Sequence, residues 1–228
     1  MPIVMGAGVG YSPLLYRGRE DWPAVSAWLR GDAIQPRGAA AEDEAVLDGY
    51  AKRIDRGFDA VGQAITDAQL DALILILADR GSHFDSSHVP QIHLQVGGEI
   101  WGNPAIAELG EAPRQVGFQC EAPAAEILIE ELVRDGFDIA EGRDFRPVGD
   151  PDRGIAPAAC EATARLAGEL PLIPISINCH VAPLMRGQRL LRFGTALARA
   201  AALSDKRLGI LVSGGLSGDP RGPMSGWA

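Results

Sequence analysis

The chain has 228 residues, of which 46% are hydrophobic and 22% charged. These are the proportions of an ordinary globular protein, and the length fits one large α/β domain, so we expect a single domain over 1–228. The formal net charge of -9 argues against a nucleic-acid-binding protein, because phosphate binding needs clustered lysines and arginines. No apolar stretch approaches the roughly 20 residues of a membrane span, and the N-terminus carries no signal-like segment. We therefore expect a cytoplasmic protein with no membrane or nucleic-acid partner.

The predicted elements interleave strands with helices. In chain order we expect a strand at 2–9, helices at about 21–30 and 42–67, strands at 72–77 and 91–96, a helix at about 122–134, a strand at 172–177, a helix at 187–202 and a strand at 208–213. Four of the strands are nearly continuous apolar runs, which is typical of strands covered on both faces. The sequence therefore predicts an α/β fold, with a central largely parallel or mixed sheet flanked by helices.

The segment at 91–96, "QIHLQV", has a different pattern from the other strands. Its apolar residues alternate with polar ones, which is typical of a strand with one solvated face. We expect a more exposed or edge strand there, with His93 pointing away from the core.

Small and polar residues follow each of the four apolar strands, in "GVGYSP", "ADRGSH", "INCHVAP" and "VSGGLSG". The carboxyl ends of parallel strands meet at one edge of a sheet, so these loops are expected to converge. The convergence predicts one pocket, and its candidate residues are Tyr11, Arg80, His83, His180, Ser213, Gly214, Gly215 and Ser217. The glycines allow backbone N–H groups to face an anion, but a tight turn without a ligand explains them equally well.

Three of the four histidines are spaced five residues apart, at His83, His88 and His93. An odd spacing puts successive side chains on opposite faces of a strand, and five residues on a helix are separated by about 140°. Neither arrangement gathers three imidazoles around one metal ion. The spacing therefore argues against a three-histidine metal site.

Several of these segments in order resemble the class III extradiol ring-cleavage dioxygenases, in the family of the protocatechuate 4,5-dioxygenase β subunit. The resemblance rests on "SPLL", "LILILADRGSHFDSSHVP" with the following "GGEIWGN", "GFDIA", "IPISINCHVAPLMRGQRLLRFGTALARA" and "DKRLGILVSGGLSG". It implies an enzyme scaffold that opens catechols, gallates or aminophenols with O₂. In such enzymes two histidines and a glutamate hold Fe(II), and a further histidine transfers protons.

The family's histidines are replaced in this chain at four matching positions. Tyr11 stands before "SP", Arg80 follows "AD", Arg153 stands in "DPDRG" where relatives have "DHG", and Gly218 ends "SGGLSG". His83 is the nearest substitute for the histidine at Arg80. Arginine stays cationic and cannot coordinate Fe(II). The family's chain also continues beyond "GP" into a segment with the glutamate ligand, whereas this one stops at Ala228, so we expect Fe(II) to be absent from this chain.

Three interpretations remain open. In the first, the chain is a non-catalytic companion that packs against a homologous catalytic subunit or against itself, as ligand-free chains do in aminophenol-cleaving relatives. In the second, it is an active dioxygenase whose rearranged metal site includes His83, with His88 as a further candidate ligand and His180 as acid and base. In the third, a metal-free pocket holds a small carboxylated aromatic ligand through Tyr11, Arg80, Arg153 and the "SGG" amides.

Overall fold

The computed structural model describes residues 3–32, 42–79, 83–147 and 152–215. The strands are β1 (Ile3–Val9), β2 (Ala72–Ala78), β3 (Ile92–Gln95), β4 (Glu99–Gly102), β5 (Val116–Gln119), β6 (Ala140–Gly142), β7 (Leu172–Ile177) and β8 (Leu208–Ser213). The helices are α1 (Trp22–Arg30), α2 (Glu44–Asp67), α3 (Ala122–Arg134), α4 (Pro157–Leu166) and α5 (Gly187–Ala201). No helix among these residues has the length and apolar character needed to cross a membrane.

Six strands form the central sheet in the order β1-β8-β2-β7-β3-β6. The first four of these are parallel to one another, β3 runs antiparallel to β7, and β6 is parallel to β3. The sheet is therefore mixed, and the prediction of one α/β domain with a central sheet between helices is confirmed. The second sheet is a two-stranded antiparallel pair of β4 and β5.

The sheet is covered by helices on both faces, so alternate residues of its strands enter two separate apolar layers. On β2, Ala72 and Ile74 pack with α3 and α5, while Leu73, Leu75 and Leu77 pack with α2 and α4. This explains why β2 is apolar at every position, because both of its faces are buried.

The helix boundaries follow local signals in the sequence. Asp43 caps α2, and its carboxylate accepts the Val46 N–H at 2.8 Å, as expected for an acidic residue before the first turn. The helices α1, α3 and α4 each carry proline in the first turn, where the missing N–H has no helical partner.

The prediction that 91–96 is an exposed or edge strand is wrong. β3 lies between β7 and β6, all four of its residues are buried, and His93 is only 6% exposed. The reason is β6, a strand of three residues that is too short to show a period in the sequence. It covers the outer edge of β3 and brings Gly142 so close to His93 that a Cβ atom at that position would overlap the imidazole.

Candidate functional site

The carboxyl ends of the four parallel strands lie side by side. The register places Ser213 of β8 opposite Val9 of β1 on one side and opposite Leu77 of β2 on the other. Leu77 in turn lies opposite Ser176 of β7. The Gly214 N–H donates to the Val9 carbonyl at 3.1 Å, which joins the loops after β1 and β8. The strand ends therefore converge as the sequence predicts.

A group of buried polar side chains lies on one face of the sheet near this edge. His93 and Gln95 of β3, Ser176 of β7 and Ser213 of β8 are each at most 6% exposed. Strand residues alternate between faces, so these four lie opposite the layer of α3 and α5. The Ser213 hydroxyl is buried and has no hydrogen-bond partner among the residues that the structure describes.

His83 and His93 pack together inside a cluster of aromatic rings. The His83 ring stacks on Phe84 at a centroid distance of 4.0 Å, meets His93 edge-on at 5.0 Å and lies 4.6 Å from Phe145. Asp79, which directly follows β2, fixes the backbone of His83 and Phe84. Its carboxylate accepts the backbone N–H groups of His83 at 2.7 Å and Phe84 at 3.2 Å.

Burial keeps both imidazoles neutral at neutral pH. Loss of solvation, with a smaller contribution from His88, lowers the pKa of His83 from 6.5 to about 4. Loss of solvation, followed by the nearby His83 and His88, lowers the pKa of His93 to about 3. A neutral imidazole offers one nitrogen lone pair, so each ring has the protonation state that a metal ligand needs.

The arrangement of the described side chains does not fit the iron site that the resemblance implies. Non-haem Fe(II) sites of this type use two histidines and a carboxylate. Within 3–32, 42–79, 83–147 and 152–215, no three histidine, cysteine, aspartate or glutamate side chains form a group that could hold a metal ion. His83 and His93 instead pack against phenylalanine rings, and Arg80 and Ser217 lie outside the described residues.

A cavity of about 440 Å³ opens beside the histidine cluster, between the loop after β2 and the loop after β7. Its apolar lining includes Phe84, Val89, Pro90, Ile177 and Val181. Its polar lining consists of Asp79, Asp85, Ser86, Ser176, Asn178 and His180. The volume suits one small molecule, since small-molecule sites in proteins measure about 300–1,000 Å³.

The Asn178 side chain holds His180 at the rim of this cavity. Its amide oxygen accepts the backbone N–H groups of His180 at 3.1 Å and Val181 at 2.9 Å, and its amide nitrogen donates to the Val181 carbonyl at 2.7 Å. The Asn178 N–H donates to the Gln91 carbonyl at 3.0 Å, which ties the turn to the segment before β3. His180 is exposed, so its ring is accessible to a bound molecule.

The other predicted site residues that the structure describes here do not line this cavity. Tyr11 is partly buried and packs with the layer of α2 and α4. The end of β8 and the residues directly after it supply Ser213, Gly214 and Gly215. Arg153 is exposed on the segment before α4, where its carbonyl accepts the Asn103 N–H at 3.1 Å. The cavity therefore includes His180 but not these five residues.

Sequence reasoning missed Asp79, Ser176 and Asn178. Asp79 and Asn178 directly follow apolar strands, so their positions alone made them candidates. Ser176 lies within an apolar strand, and only its register opposite His93 places it at the site.

Comparison with known proteins gives the family. Residues 38–226 match the family described as "Catalytic LigB subunit of aromatic ring-opening dioxygenase". The chain is 27% identical over 175 residues to a 2,3-dihydroxyphenylpropionate/2,3-dihydroxicinnamic acid 1,2-dioxygenase of Rhodococcus sp, covering 75% of this chain and 51% of the relative. A relative with the same name from Rhodococcus jostii (strain RHA1) is 28% identical over 175 residues, which cover 75% of this chain and 51% of the relative.

The chain spans about half the length of these curated relatives. The family match includes Arg80 and Arg153 but begins after Tyr11. Because the match covers most of the sequence, this chain belongs to the LigB family of class III extradiol dioxygenases.

Proposed function

We propose that this chain is a non-catalytic companion in an aromatic ring-cleavage system of the catechol or aminophenol type. In this role it pairs with a homologous catalytic chain or with a second copy of itself. One observation carries the proposal: this LigB-family chain forms a sheet with a cavity at its strand ends, while the described side chains include no three-donor metal group.

The chemistry of the replaced positions supports this proposal. By the resemblance of the sequence, Arg80 and Arg153 would stand where the family has histidines, and a guanidinium cannot donate a lone pair to a metal. The two buried histidines that remain contact aromatic rings, which stabilises the scaffold without requiring a ligand. A scaffold that keeps its packing without its iron ligands can still contribute an interface.

The cavity suits a small aromatic molecule with hydroxyl groups. Phe84 and the aliphatic side chains would contact its ring, while Asn178, Ser176 and His180 offer hydrogen-bonding groups. A carboxylated aromatic is less favoured in this cavity, because Asp79 and Asp85 line it and Arg153 lies elsewhere. The third interpretation from the sequence is therefore the weaker one for the described lining.

Metal analysis and ring-cleavage assays of the chain purified without oxygen test the proposal. The isolated chain is expected to hold far less than one iron per chain and to release no ring-opened product from catechol, protocatechuate or 2-aminophenol. Co-expression with a catalytic homologue of the same host is expected to yield a complex in sedimentation. Stoichiometric iron together with ring-opened product from the isolated chain would instead establish the rearranged active enzyme.

A further inference from the structure

The two edges of the six-stranded sheet differ in how they are protected. β1 forms one edge and β6 the other. An exposed edge strand presents unpaired backbone N–H and C=O groups, which can pair with another chain unless charge, proline, shortness or a covering element prevents it.

The β6 edge carries several of these protections. The strand has only three residues, and its central residue Glu141 is exposed. Arg143, just beyond the strand, forms ion pairs with Glu141 at 2.6 Å and with Glu126 of α3 at 3.5 Å. Charges and shortness therefore make this edge a poor template for another strand.

The β1 edge has a register irregularity with β8 between Ile3 and Met5, but from Met5 to Val9 its register is regular and it has none of those protections. Ile3–Val9 reads "IVMGAGV", seven residues without a charge or a proline. None of the seven is buried, and Val4, Gly6 and Gly8 are exposed. Among the described residues, β8 is the only strand that pairs with β1. Val212, opposite Gly8 on β8, is 41% exposed and extends the apolar strip.

We propose that β1 pairs antiparallel with β1 of a second copy of this chain, joining the two central sheets into one. A closed pair of identical chains has a twofold axis, and a strand that meets its own copy across that axis must run antiparallel to it. With the axis at Gly6, the middle residue of the strand, Val4 lies opposite Gly8 and Gly6 lies opposite its copy. Larger and smaller side chains then alternate across the pair.

A second copy fits this edge because the edge is neutral and self-complementary. The chain carries a net charge of -9, so contact between two copies is most favourable where neither contributes charge. The inference deepens the self-pairing part of the proposed function. Its test uses the isolated chain, so its failure is distinguishable from failure to bind a catalytic homologue.

The variant Gly6→Lys places a charge at the twofold axis. A Cβ atom at Gly6 meets no other atom within 4 Å, so the variant is expected to fold. Like charges directly opposite each other oppose strand pairing, and we expect the dimer Kd to rise by about tenfold or more. Gly57→Lys is the matched control, because Gly57 is exposed on α2 and equally free of contacts.

Sedimentation of the wild-type chain is expected to give a dimer that Gly57→Lys retains and Gly6→Lys loses. Mixing the Gly6→Lys and Gly6→Glu variants is expected to restore a dimer, because opposite charges then meet at the twofold axis. In the wild type, backbone amide hydrogen exchange at residues 4–8 should slow as the protein concentration rises, because dimer formation pairs these groups. This measurement tests the interface without a variant. A wild-type monomer at every concentration, or a dimer that Gly6→Lys leaves unchanged, would overturn the inference.

Discussion

The two faces of the central sheet are built from alternating residues of the same strands but differ in chemistry near the carboxyl edge. The face covered by α3 and α5 packs apolar side chains such as Ile74, Leu94 and Ile175. The opposite face carries the buried polar residues His93, Ser176 and Ser213 at that edge. Both faces bury apolar layers, and the second face adds buried polar side chains at the carboxyl edge.

The largest effect is expected from truncating a core residue on the apolar face. Leu128 of α3 is fully buried in the layer between the sheet and α5. Leu128→Ala removes buried apolar contacts and leaves a cavity, so we expect a loss of about 2–5 kcal/mol in the free energy of unfolding. Urea unfolding measures this loss. A change below about 1 kcal/mol would contradict the structural role given to this face.

A smaller effect, dependent on pH, is expected on the polar face. The unfolded chain protonates His83 near pH 6.5, whereas burial delays protonation in the folded chain to about pH 4. Between these values the unfolded state binds more protons, so stability falls as the pH falls through this window. At about pH 4 and below, the lowered pKa of His83 corresponds to a loss of about 3 kcal/mol in the free energy of unfolding relative to neutral pH.

His83→Phe is expected to make this pH dependence shallower between pH 6.5 and 4, because the ring can still stack on Phe84 without titrating. A part of the pH dependence is expected to stay, because burial also lowers the pKa of His93, to about 3. Unfolding measured at several pH values tests the expectation. The control is His88→Phe at an exposed position of the same loop, which removes only the smaller contribution of His88 to the pKa of His83. An equal pH dependence in the wild type and His83→Phe would show that His83 does not carry the effect.

The smallest effect is expected at Ser213. Its hydroxyl is buried without a hydrogen-bond partner among the described residues, so the folded state gains little from it. Ser213→Ala is expected to leave the free energy of unfolding unchanged or to raise it by up to about 1 kcal/mol. A loss above about 1 kcal/mol in urea unfolding would mean that this hydroxyl has a partner after all.

Most of the larger elements could be predicted from the sequence, because long apolar or amphipathic runs carry a clear period. β7, β8 and α3 have the predicted bounds, and β2 extends by one residue. β4, β5 and β6 are too short for a period, and α4 is rich in alanine, which gives a weak apolar pattern. Such elements are specified by distant partners, which local sequence does not reveal.

The sequence predicts which strand ends contribute to the candidate site, but not which side chains meet there. The sequence indicates which loops converge, because the carboxyl ends of parallel strands share an edge. It does not indicate that His83 packs edge-on against His93, since that contact depends on the β3 register and on the hydrogen bond from the His83 N–H to Asp79. His180 was found because it follows an apolar strand, while Ser176 was hidden inside one.

The central proposal is that this LigB-family scaffold carries no catalytic iron of its own. The most direct test is to add Fe(II) to the chain without oxygen, remove unbound metal, measure iron per chain and then supply O₂ with a catechol. The account predicts far less than one iron per chain and no ring-opened product. One iron per chain with turnover of the catechol would contradict it.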